Sequence, residues 1–93
     1  MQAKDEISRI SAIVPEVIDG EAWYPAESVA RALRIDAEKA VRMLPGGWKR
    51  TIRRIMRNGI YNRTLIRREG VRALAIRYGR RPLHQAMAAL RDP

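Results

Sequence analysis

The sequence predicts an α+β fold, mainly helical, with a short N-terminal β-hairpin followed by a compact helical body that leaves room for a wing. Three observations carry that expectation. Asp19-Gly20 lies between two β-favouring runs, Glu16-Val17-Ile18 and Ala22-Trp23-Tyr24, and an Asp-Gly pair tolerates the positive φ angles of a tight hairpin turn. Apolar residues recur at helical spacing from Val29 to Leu90. Proline or glycine punctuates the junctions at Pro15, Pro25, Pro45-Gly46-Gly47, Gly79 and Pro82.

Taken in order, residues 4–13 fit a short helix ended by Pro15, and residues 1–15 are expected to pack loosely on a single domain spanning 1–93. After the hairpin, Pro25 suits the first turn of a helix whose Val29, Ala30 and Leu33 share one face through about Arg34. Asp36 can cap a second helix, 37–44, with Ala37, Ala40, Val41 and Leu44 on one side. From Trp48 to Arg57, Trp48, Ile52, Ile55 and Met56 fall on one helical face and Arg50, Arg53, Arg54 and Arg57 on the other. Periodicity favours a helix there. The competing reading makes Asn58-Gly59 a type I′ turn between two strands. Ile60 to Ile66 reads as a strand. Glu69 to Tyr78 reads as a helix with Val71, Leu74, Ala75 and Tyr78 inward, and Pro82 opens a last helix burying Leu83, Ala86, Met87 and Leu90.

The charge is segregated as well as high. The net formal charge is +9, yet residues 1–38 sum to minus 4 and residues 39–93 to plus 13, with Glu69 and Asp92 the only acids in the second stretch. Sixteen of the nineteen basic residues are arginine, which forks onto phosphates and guanine edges where lysine offers a point charge. A high-GC genome accounts for part of the arginine excess but not for the segregation. A polyanionic partner does.

Catalytic constellations are missing. There is no cysteine, His84 is the only histidine, and the carboxylates of the first 38 residues lack metal-loop spacing. Gly46-Gly47-Trp48-Lys49-Arg50-Thr51 has the residues of a phosphate loop in the wrong spacing, and Ser28 sits inside a helix instead of on an exposed elbow. The chain is therefore expected not to be an enzyme and to carry no metal or cofactor. With no leader-like start and no apolar run of about 20 residues, it is expected to be cytoplasmic and to avoid membranes.

Four arginines on one helix face would repel in pairs, at roughly 0.2 to 0.5 kcal/mol each, and phosphates would relieve that repulsion. The expected DNA-binding residues are Arg50, Arg53, Arg54 and Arg57, supported by Lys49, Arg63, Arg67 and Arg68. Only five aromatic residues are present and they form no spaced stacking pairs, so duplex DNA is preferred to a single strand. An acidic surface on a host or phage protein is the alternative partner, and a homodimer is compatible with either.

Asp19-Gly20-Glu21-Ala22-Trp23, followed by the Ala26, Val29, Ala30 and Leu33 pattern, resembles the start of the BRO-type N-terminal domain of phage antirepressors. Leu65-Ile66, Glu69-Gly70, Leu74 and Arg80-Arg81-Pro82 resemble that family's second landmark, although here Glu69 directly precedes Gly70. The resemblance implies a small α+β DNA-binding module of a phage or prophage regulator. A small winged-helix excisionase is a weaker match, sharing the helix, helix, hairpin, helix order from Pro25 onward. The functional expectation is thus a DNA-binding regulator, with a protein-binding antirepressor or anti-defence inhibitor as the alternative.

Overall fold

The computed structural model describes residues 5–92; residues 1–4, including Lys4 at the start of the expected first helix, and residue 93 lie outside it. The element order is α1 (Glu6–Ser11), β1 (Glu16–Ile18), β2 (Glu21–Pro25), α2 (Ala26–Leu33), α3 (Ala37–Met43), a 3-10 turn (Gly46–Trp48), β3 (Lys49–Met56), β4 (Gly59–Arg67), α4 (Arg68–Tyr78) and α5 (Leu83–Ala89). The four strands form one antiparallel sheet in the order β1-β2-β4-β3.

This architecture corrects the expected fold class. Instead of a small hairpin set before a helical body, two hairpins join into one sheet, because β4 pairs with β3 along its length and with β2 at its inner end. The expected helix over residues 48–57 is strand β3, with Lys49 opposite Ile66 and Met56 opposite Gly59. The physical reason lies in β4. Leu65, Ile66 and Arg67 are anchored on β2, and β4 offers its other edge to residues 49–56, which pair with it in unbroken register. A helix over 48–57 would also have brought the four arginine repulsions, and the outer half of its apolar stripe has no core to face. Ile55 and Met56 are 82% and 58% exposed.

The first turn has Asp19 and Gly20 at φ 52° and 80°, the left-handed pair its residues suit. The second differs from the Asn58-Gly59 expectation by one position. Arg57 and Asn58 form the turn, and Gly59, at φ 140°, opens β4.

Pro25 joins the layers. Lacking an N–H, it ends the β2–β4 ladder opposite Leu65 and starts α2 on the next residue. The sequence then turns tightly. Arg34 takes a left-handed C-cap conformation at φ 57°, Ile35 N–H donates to Ala30 C=O at 2.9 Å, and the Asp36 carboxylate accepts from Lys39 N–H at 3.0 Å to cap α3.

One sheet face, through Tyr24 and Ile66, packs on the helices in a core that includes Ile10, Ile13, Val29, Leu33, Leu44, Val71, Leu74 and Leu90. Val41 and Trp48 pack at its margin, and Ile52 is only half-buried. Gly70 sits where α4 meets β4. A Cβ there would collide with Ile66 Cγ2 and crowd Leu44 and the Trp48 carbonyl. The N-terminal helix is more firmly held than its sequence suggested: Ile10 and Ile13 are buried, and Arg9 Nε donates to Ala32 C=O at 2.9 Å. The buried Glu6 carboxylate accepts from the backbone N–H groups of Arg80 and Arg81 at 3.1 Å. Among the described residues no helix is long and apolar enough to cross a membrane.

Candidate nucleic-acid interface

Hairpin β3–β4 extends beyond the body of the domain. From Thr51 outward and back to Arg63 every residue is exposed except half-buried Ile52. Six cross-strand pairs lie between Thr51–Thr64 and Met56–Gly59, which at a rise of about 3.4 Å per residue makes an arm on the order of 17 Å long. Residues 49–67 contain seven basic side chains and no acidic one.

Strand geometry divides the arginines that a helix would have gathered. Residues directly opposite one another share a sheet face. One face carries Lys49 with Ile66, Thr51 with Thr64, Arg53 with Asn62, and Ile55 with Ile60; the other carries Arg50 with Leu65, Ile52 with Arg63, and Arg54 with Tyr61. The expectation of a single contiguous face for Arg50, Arg53, Arg54 and Arg57 is corrected accordingly. Arg50 and Arg54 are on one side of the arm, Arg53 is on the other, and Arg57 is in the turn.

The eight expected contact residues also differ in engagement. Lys49 Nζ donates to Val41 C=O at 2.7 Å, at the C-terminal end of α3, so its charge supports that helix. Arg50 and Arg67 lie over the buried Trp23 ring at 5.2 and 5.3 Å from its centre, and Arg67 also pairs with Glu21. Arg54 and Arg63 both reach Glu16 on β1, the latter at 3.0 Å. Arg68 Nη2 donates to Met87 C=O at 2.9 Å, and its other terminal nitrogen lies 3.6 Å from Asp92. Among the described residues, only Arg53 and Arg57 of the eight have side chains without an ion pair, hydrogen bond or ring contact.

Beside the arm lies a cleft of about 860 Å³ whose other wall is the start of α2 together with α3. Glu16, Glu27 and Glu38 line it along with Arg54 and Arg63. On α3, Lys39 and Arg42 are exposed. Among the described residues no group of three or more acidic or histidine side chains is placed to hold a metal ion.

No family model, no curated protein and no solved structure matches the chain.

Proposed function

We propose that the chain binds duplex DNA, with the β3–β4 arm as the main contact. One observation carries this reading: four arginines, Arg53, Arg54, Arg57 and Arg63, and no acidic residue on the part of a two-stranded ribbon that projects from the core, with Arg50 at its base. A ribbon of this kind fits a DNA groove, and arginines on both of its faces and at its turn meet phosphates on either wall. The helix, turn, helix and arginine-rich hairpin in succession support a winged module. The residues resembling the BRO-type module fall on β1, β2 and α2 and again on β4, α4 and α5, so that resemblance belongs to the same proposal of a phage-type regulator. The role is binding without catalysis, in the cytoplasm where such DNA is found.

The test is fluorescence anisotropy on mixed-sequence duplex across a salt series. With Arg50, Arg53, Arg54, Arg57 and Arg63 neutralising about five phosphates, log affinity should fall with log salt at a slope of about −4.5, a loss of about 500-fold between 50 and 200 mM. Absence of binding at 50 mM salt would defeat the proposal. It would put an acidic protein surface, the antirepressor or anti-defence alternative, in place of DNA.

A further inference from the structure

The end of the arm carries side chains that a merely solvated basic ribbon does not need. Ile55 and Ile60 face each other across the strands at 82% and 61% exposure, and Met56 and Tyr61 are 58% and 49% exposed on the opposite side. Arg53 with Asn62 is the next pair inward on the same face as Ile55–Ile60, two positions back along the ladder, and Arg57 stands just beyond in the turn. An apolar pair is thus held at the tip of a basic arm, between two arginines that have no partner within the described chain.

Charge selects the occupant of this tip. A second copy of the arm would bring a further four arginines and no acid against it. A membrane surface suits an element with one apolar side and one charged side, whereas this arm has arginine on both faces. Duplex DNA meets both requirements, because phosphates border the groove and the stacked bases inside it are apolar.

We propose that Ile55 and Ile60 form a wedge that enters the minor groove, partly unstacks one base step and kinks the duplex. The proposal rests on the DNA-binding reading above. Arg53 and Arg57 bind the phosphates on either side of the entry point. The minor groove, at about 6 Å, is narrow for a two-stranded ribbon, so seating the tip requires the groove to open. Opening it by unstacking bends the axis toward the major groove, by 20–90° in wedges of this type. Pyrimidine–purine steps, which unstack most readily, are the favoured entry points.

The experiment uses the full chain and a duplex of about 30 base pairs labelled at both ends, reading binding by anisotropy and bending by energy transfer between the ends. The parent should bind and shorten the end-to-end distance. The Ile55→Thr, Ile60→Thr variant keeps β-branched residues in both strands. It should bind with the same salt slope and about tenfold lower affinity while leaving the duplex straight. Ile55→Val, Ile60→Val, which only shortens the wedge, should give intermediate bending and guards against an effect of arm unfolding. A parent that binds without bending, or a threonine variant that bends fully, would overturn the wedge and leave the DNA-binding reading standing. A parent that does not bind at 50 mM salt would overturn both.

Discussion

Lys49 and Arg53 lie on one face of one strand, yet their charges meet different partners. Lys49 reaches the Val41 carbonyl, so Lys49→Ala should lower stability by about 0.5 to 1 kcal/mol in chemical denaturation while the salt slope of DNA binding stays at its parent value. Arg53 and Arg57 have no partners among the described residues, and alanine at either should leave the melting transition in place but reduce the slope by about one. Tyr24 presents a different kind of dependence. Its hydroxyl donates to Arg91 C=O at 2.5 Å, and burial raises its phenol above the ordinary value near 10. The folded state therefore favours the neutral ring. That contribution is complete below about pH 10 and is lost as the pH climbs through the raised value. Tyr24→Phe should cost about 1 kcal/mol at neutral pH through the orphaned carbonyl and flatten the alkaline decline, both readable from denaturation midpoints between pH 8 and 11.

Among the elements, the arm and β1 are coupled through Glu16, which accepts from Arg63 and pairs with Arg54. Phosphates must compete with that carboxylate. Glu16→Gln keeps the side chain's size and removes its charge, so DNA affinity at 50 mM salt should rise several-fold; unchanged or weaker binding in the anisotropy titration would show that Arg54 and Arg63 do not contact DNA. The coupling explains a limit on what the sequence discloses. Charge segregation and the choice of arginine were legible in the sequence. Which arginines are engaged was not, because Glu16 and Glu21 lie 38 to 47 positions away from the arginines they meet. The mistaken helix over 48–57 has a similar origin. Its apolar and basic residues satisfy a helical period, but the strand edge they pair with is formed by residues 59–66, and no window confined to 48–57 contains it.

At the scale of the whole molecule, the helices were legible because α2, α3, α4 and α5 each present an apolar stripe that reaches the common core. Val29, Leu33, Leu44, Leu74 and Leu90 are all buried as their spacing predicts, with Leu74 at 0% exposure. Leu74→Ala should accordingly destabilise the domain by about 2 to 5 kcal/mol, and a loss under 0.5 kcal/mol in urea denaturation would contradict the packing described. The sheet was less legible since its assembly brings residue 23 to residue 67 and residue 49 to residue 66, and only the second of these contacts is local enough to show in a hairpin pattern. β4 itself spans two environments. Leu65 and Ile66 are sealed at 0% exposure, while Gly59 to Arg63 of the same strand stand in solvent. Its amides should therefore have two lifetimes in deuterated water. The outer hydrogens should exchange through brief local fraying of the tip, and the inner ones only when the entire domain opens. A bound duplex would slow the first group selectively, so that the occupied arm takes on the exchange behaviour of the core without any change in its backbone pairing.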